Sequence, residues 1–264
     1  MGSATTQARA ATTAALAAAS GVDLDVARQL FAAARAVNGS AQLSGALSDS
    51  SSAPAEARAS LVSGVFGATY GETAVSLLRV AAAQRWSHTS EFVDGLEELA
   101  IRAAAVADAS SDIEAEIFEF SRTIAENGEL ELALGSRLGD DAAKGSLVAT
   151  LLSGRVSEAT TLIVSSLVQQ TRGRRVRAML RRAEAFVADQ RSRIVATVYA
   201  AAPLSGEQQS RLQNALSARY GSAVTLNTVI DPTVLGGLRV QVADDVIDAS
   251  VSARLADLRQ RIAG

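Results

Sequence analysis

Residues 89–107, TSEFVDGLEELAIRAAAVA, read as one helix, because proline is absent and alanine, leucine and glutamate dominate. Two registers of the surrounding chain both claim this segment. At a constant offset of 89, Asp23, Phe31, Asn38, Gly39 and Leu43 match Asp112, Phe120, Asn127, Gly128 and Leu132. At an offset of 86, Arg58, Ser60, Leu61, Val62, Glu72, Leu77 and Gln84 align with Lys144, Ser146, Leu147, Val148, Glu158, Ile163 and Gln170. The preserved order points to a duplication, with coincidence in a low-diversity helical sequence as the alternative. Residues 89–107 then close a first bundle, 1–107, and open a second, 89–193. A helix shared in this way would fuse the copies into one elongated helical region.

The helical texture runs from the start to about Arg193, with Pro54 the only proline in that span. Ile113, Ile117, Phe120 and Ile124 recur at helical spacing and form one apolar stripe that needs a partner helix. Breaks are expected where serine, glycine, asparagine and aspartate gather: 21–23, 38–39, 48–54, 110–112, 127–128 and 139–141. The alanine-rich start weakly imitates a signal peptide, but Leu16 is its only strongly apolar residue, and it is read as a first helix.

After Arg193 the composition shifts. IVATVYAA and AVTLNTVI are β-branched runs, and LRVQV alternates, with Leu238, Val240 and Val242 on one face. Ser205 and Gln208 form a capping box that opens a helix, and Gly221 closes it. A last helix carries Val251, Leu255, Leu258 and Ile262 on one stripe. The fold class is therefore mainly α: a duplicated helical region followed by a small α+β module at 194–264.

The chemistry available is narrow. Cysteine is absent and His88 is the single histidine, which excludes disulfides, thiolate catalysis, Cys/His zinc sites and relays of two imidazoles. Phosphate-loop, dinucleotide, HExxH and GxSxG patterns are missing, and Gly236-Gly237 leads into a strand where a phosphate cradle would lead into a helix. The longest uncharged runs reach thirteen residues, short of the roughly 20 a spanning helix needs. Charge is uneven: residues 91–131 hold twelve acids and two arginines, and residues 172–193 hold eight arginines and two acids. The latter make Arg172, Arg174, Arg175, Arg177, Arg181 and Arg182 a candidate basic docking surface, set against pairing with neighbouring helices. Nucleic acid is disfavoured, since aromatics are 4% of the chain and none interleaves with that cluster. A non-catalytic interaction protein is the reading that remains, with a free-standing helical-repeat adaptor as one form of it.

The run IDPTVLGGLRVQVADDVIDASVSARLADLRQRI carries an ordered set of motifs: Asp231-Pro232, then Gly236-Gly237 before a strand, then Ile247-Asp248-x-Ser250-Val251 entering a terminal helix. It resembles the delta subunit family of F-type ATP synthases, related to the mitochondrial oligomycin-sensitivity-conferring protein. The resemblance covers residues 194–264; Ala243 and Ala249 depart from it, standing where the family usually has glycine. It implies a non-catalytic stator subunit on the cytoplasmic face of the cell membrane, with no cofactor, no nucleic acid and no membrane insertion. Its implied partners are N-terminal helices of alpha subunits, and beta subunits, in the catalytic head, and the b subunit of the peripheral stalk. Leu238, Val240, Val242, Ile247, Leu255 and Leu258 are the candidate stalk-binding residues, with core packing as the competing role for each.

Overall fold

The computed structural model describes residues 2–136, 139–221, 223–234, 236–242 and 245–248. Eleven helices come first: α1 (Ser3–Ala18), α2 (Leu24–Gly39), α3 (Ala41–Ser48), α4 (Ala55–Phe66), α5 (Glu72–Ala83), α6 (Thr89–Ala107), α7 (Ile113–Glu126), α8 (Gly128–Gly135), α9 (Asp141–Leu152), α10 (Glu158–Val168) and α11 (Val176–Gln190). After them come β1 (Arg193–Ala200), α12 (Gly206–Tyr220), β2 (Ala223–Ile230), β3 (Leu238–Val242) and β4 (Asp245–Asp248). The chain divides into two units, Met1–Val187 and Ala188–Gly264.

Helix starts follow from local chemistry. Asp23 and Asp112, paired by the offset of 89, both cap: Asp23 Oδ1 accepts from Val26 N at 2.9 Å and Asp112 Oδ1 from Ala115 N at 3.5 Å. Ser40 and Ser157 accept from Leu43 N and Thr160 N at 3.1 and 3.2 Å. The expected breaks at 21–23, 48–54 and 110–112 interrupt the helices; that at 38–39 falls one residue later, at Ser40, because α2 runs through Gly39, and those at 127–128 and 139–141 end where α8 begins at Gly128 and α9 at Asp141. The turns at 67–71 and 153–157 were not expected; each separates helices whose residues read as continuously helical.

Every residue of α6 from Gly95 to Ala105 is buried, so the middle of the helix is covered on every side, while Thr89, Ser90 and Val106 toward its ends are exposed. Phe92, Val93, Leu96, Leu99, Ala100, Ile101, Ala103 and Ala104 are at most 2% exposed, and α6 packs on α1, α2, α3, α5 and α10. A helix surrounded this way cannot keep a solvated face, so its charged residues need partners. Glu98 Oε1 accepts from Arg102 Nε and Nη2 at 3.0 and 2.9 Å, and Glu98 Oε2 forms an ion pair with Arg9 Nη1 from α1 at 3.3 Å. Glu97 receives both terminal nitrogens of Arg174 at 2.8 and 2.7 Å, a bidentate pair. One core runs from Ala8 to Val187 and includes the whole Ile113, Ile117, Phe120, Ile124 stripe.

Trp86 closes the entry to α6. It is 6% exposed, its Nε1 donates to Ala81 O at 2.9 Å, and its ring meets Phe92 at 5.7 Å. A Cβ on Gly95 would fall 2.2 Å from the ring atom Cη2, so the indole lies against bare helix backbone.

In the second unit the strand order is β2-β1-β3-β4, with β1 and β2 parallel through the α12 crossover and β3 and β4 antiparallel. Registers Val198↔Val240 and Ala196↔Val242 put the alternating apolar residues on one face with Leu216 of α12. The capping box is present, Gln208 N to Ser205 Oγ at 3.3 Å and Ser205 N to Gln208 Oε1 at 2.8 Å, and Gly221 ends the helix at φ 69°. Ala243, Ala249, Ser250, Val251, Leu255, Leu258 and Ile262 lie outside the described residues.

Two substitutions test this account of α6. Gly95→Ala gains about 1 kcal/mol of helix propensity but collides with Trp86, and overpacking of this kind costs about 1–3 kcal/mol; net destabilisation in urea unfolding is expected. Glu98→Ala removes the buried carboxylate that Arg9 and Arg102 share and should cost about 3–5 kcal/mol, measured the same way.

Candidate functional site

Among the described residues no group of three or more histidine or acidic side chains is placed to hold a metal ion, and His88 is exposed at the N-cap of α6. The basic stretch is largely engaged inside its own unit. Arg172 contacts Asp94, and Arg174 and Arg182 approach the same carboxylate at 3.8 and 3.7 Å. Arg177 Nε donates to Glu131 Oε1 at 3.1 Å, and the Arg182 guanidinium lies 5.2 Å over the Phe186 ring. Arg175 and Arg181 are exposed. The first three arginines of the stretch precede α11, in a link where Arg172 and Gly173 take φ of 50° and 76°. Pairing over 77 residues of sequence, as for Arg174 and Glu97, leaves only an overall charge balance to read.

A groove of about 420 Å³ lies between α7, α8 and α9, floored by Phe120, Leu130, Leu151, Leu152 and Val156. Its polar edge is Glu116, Glu119 and Arg155. Glu116 is held in place by Ser157 N at 3.0 Å, Ser157 Oγ at 2.6 Å and Thr160 Oγ1 at 2.5 Å. The offset of 89 maps the α7 positions Glu116, Glu119, Phe120 and Thr123 onto Ala27, Leu30, Phe31 and Ala34 of α2. Those four are 0–3% exposed, on the helix that makes the most extensive contact with α6. The groove thus occupies positions that are packed against helices in the first register. Leu151 in its lining is 39% exposed, and Leu147 on α9 and Leu132 on α8 are 44% and 76% exposed. Periodicity alone does not reveal the groove, because α2 and α7 share caps and spacing but bury different faces.

In the second unit, Val240 and Val242 belong to the module's own core at 4% and 6% exposure, and Leu238 and Ile247 pack against it while staying partly accessible. Leu238 lines a shallow hollow of about 550 Å³ with Leu204, Leu212, Gln208, Arg211 and Gly237. The motif before β3 builds a turn. Asp231 Oδ1 accepts from Thr233 N and Oγ1 at 2.9 and 2.6 Å, its own N donates to Ala200 O at 2.8 Å, and Pro232 is exposed beside it. Gly236 and Gly237 follow with φ of 68° and 78°, consecutive left-handed residues that favour glycine. Asp248 pairs with Arg239 in register at the sheet edge.

The Thr233 hydroxyl holds the Asp231 carboxyl below the ordinary aspartate range, with its amide adding to the effect and Arg239 contributing less. A depressed carboxylate supports the folded state above its unfolded pKa, and that support fades as pH falls through the lowered value. An NMR titration should show Asp231 ionising below a denatured reference, and Thr233→Val should return it toward the ordinary value.

The family model "ATP synthase delta (OSCP) subunit" matches residues 100–262, from inside α6 to the end of the module. The curated ATP synthase subunit delta of Leifsonia xyli subsp. xyli is 48% identical over 269 residues, covering all of both chains. The Nocardia farcinica subunit is 38% identical across 98% of this chain and 97% of its own, and that of Streptomyces avermitilis 42% across 79% and 78%. A chain of the Toxoplasma gondii mitochondrial ATP synthase hexamer superposes with a TM-score of 0.39 at 23% identity, covering 64% of this chain and 98% of that one, too remote to add to the assignment. No described helix is long and apolar enough to cross a membrane. The family match, the full-length relatives and a fold that offers docking surfaces converge on one conclusion: the chain belongs to the ATP synthase delta (OSCP) family, the non-catalytic stator subunits that link the catalytic head to the peripheral stalk.

Proposed function

We propose that the helical unit grips the head by seating N-terminal helices of alpha subunits against its grooves, close to the beta subunits, and that the α+β module holds the end of the b subunit on the cytoplasmic face of the membrane. The groove on α7–α9 is the observation that carries the first half. It has an apolar floor, a fixed polar edge and partly exposed leucines, the features that receive the apolar face of an amphipathic helix. For the second half, the accessible part of the Leu238, Val240, Val242 stripe is its Leu238 end, beside Leu204 and Leu212. Val240 and Val242 serve this interface from within by fixing the strand, and Leu255 and Leu258 are assigned to it by their sequence spacing.

The same reading includes a duplication in which α6 is shared. Helices α1, α6 and α11 begin at 3, 89 and 176, and α2, α4 and α5 recur as α7, α9 and α10 with starts 24 and 113, 55 and 141, 72 and 158. Leu61 and Val65 on α4 are 37% and 42% exposed, at positions the offset of 86 maps onto Leu147 and Leu151. Two copies would offer two helix-binding faces to a head that contains several alpha subunits.

Binding of a fluorescent alpha N-terminal peptide and capture of the b subunit separate the two roles. Leu151→Asp should weaken the peptide at least about ten-fold and leave b capture intact; Leu238→Ser should do the reverse, with circular dichroism unchanged in both. Loss of both partners in either folded variant, or of neither, would contradict the division of labour.

A further inference from the structure

Where α2, the start of α9 and the link between α10 and α11 meet, a cavity of about 760 Å³ is lined by Arg35, Lys144, Arg172, Asp141, Gln169 and Gln170 among others. Its existence follows from a difference between the two registers. Arg58 in the first spreads its guanidinium over the end of α5, with Nε to Ala82 O at 2.8 Å, Nη2 to Ala83 O and Gln84 O at 3.0 Å each, and Nη1 to Ala53 O at 2.6 Å. The offset of 86 puts Lys144 at that position, and its single ammonium turns to Ser136 O and Asp141. A point charge cannot span what a planar fork spans. Gln169 and Gln170, the counterparts of Ala83 and Gln84, are left lining the open space.

The cationic groups around that space are under-compensated. Arg35 makes no ion pair and no hydrogen bond among the described residues, although its Nη1 is closed off from solvent. The offset of 89 matches it to Ile124, a residue of the apolar stripe. Arg172 likewise has a buried Nε without a partner, and its carboxylate partner Asp94 is shared with Arg174 and Arg182. Burial, then the neighbouring Arg174 and Arg182, push the Arg172 guanidinium down to about 10; burial also lowers Arg35. Partly buried guanidiniums whose charge is incompletely compensated are costly, and an oxyanion held by the parts of Arg35 and Arg172 that line the cavity offsets that cost. Lys144 has its carboxylate in Asp141, so Arg35 and the excess around Asp94 call for a ligand of more than one negative charge, and the volume is that of a small-molecule site.

We infer that this cavity is an oxyanion site that takes the phosphate group of a small ligand between Arg35 and Arg172. Guanidinium forks match phosphate oxygens bidentately, and the amide of Gln169 in the lining supplies the kind of uncharged donor such sites use for orientation. The phosphate could come from inorganic phosphate or from a nucleotide, and the chemistry of the pocket is the same for both.

The test is isothermal titration of the complete chain with inorganic phosphate, AMP and ATP in chloride buffer at fixed ionic strength. Saturable binding of at least one is expected, weakened at least about ten-fold by Arg35→Ile. Isoleucine is chosen because the matching position accepts one, and melting without ligand should be no lower than in the native chain. Arg79→Ala, an exposed cation outside the cavity, should leave affinity unchanged. Binding of inorganic phosphate identifies the free anion as the source; binding of AMP or ATP alone identifies a nucleotide. The inference is overturned if none of the three binds saturably, if binding survives Arg35→Ile, if Arg79→Ala lowers it equally, or if only an acidic peptide such as hexaglutamate binds.

Discussion

A helix with no solvated face has to be supplied with partners from every direction, and that requirement organises the first unit. Glu97, Glu98 and Arg102 sit in the middle of α6, each 5–7% exposed. Arg9 reaches Glu98 from the first helix, and Arg174 reaches Glu97 from the link that precedes the eleventh. Chain segments at opposite ends of the unit are thereby tied to one element. Neighbouring apolar residues exclude water from these pairs, which makes them expensive to break singly. A joint in a rotary machine needs this property. Each elementary charge crossing the membrane releases about 2.3 kcal/mol per 100 mV, and a tie that carries the work of several charges has to hold its shape while loaded.

In the proposed duplication the two registers share this helix but differ in detail, and the differences lie at the candidate sites. Ala27, Leu30 and Ala34 on α2 have the counterparts Glu116, Glu119 and Thr123 on α7, where the groove is. Arg58 has the counterpart Lys144, where the cationic cavity is. Each change trades internal satisfaction for open space. On that proposal, repeats that keep their frame and alter selected packing positions offer different surfaces at little cost to the common core.

Much of the architecture is legible in the chain because it depends on local rules. The breaks at 21–23 and 110–112, the stripe from Ile113 to Ile124, the Ser205–Gln208 box and the alternation of Leu238, Val240 and Val242 are each set by neighbours within a few residues. The family was legible as a resemblance because its ordered motif is local in sequence: Asp231 anchors a turn, and Gly236 and Gly237 take left-handed backbone. The fate of the arginines was not legible. Their partners Asp94, Glu97 and Glu131 lie 46 to 88 residues away, and composition alone does not distinguish a solvated basic face from a folded-in one. The orientation of Val240 and Val242 was equally hidden, since an alternating strand does not say whether its apolar face meets its own helix or a partner.

This chain acts as a mechanical tie without chemistry of its own, and coupling between hydrolysis and pumping measures that. In membranes carrying the ATP synthase with this chain removed, ATP hydrolysis by the head should persist while ATP-driven proton pumping collapses, and adding back the purified chain should restore pumping without raising hydrolysis per head. Pumping that stays coupled in its absence, or ATP hydrolysis by the chain alone, would contradict the account.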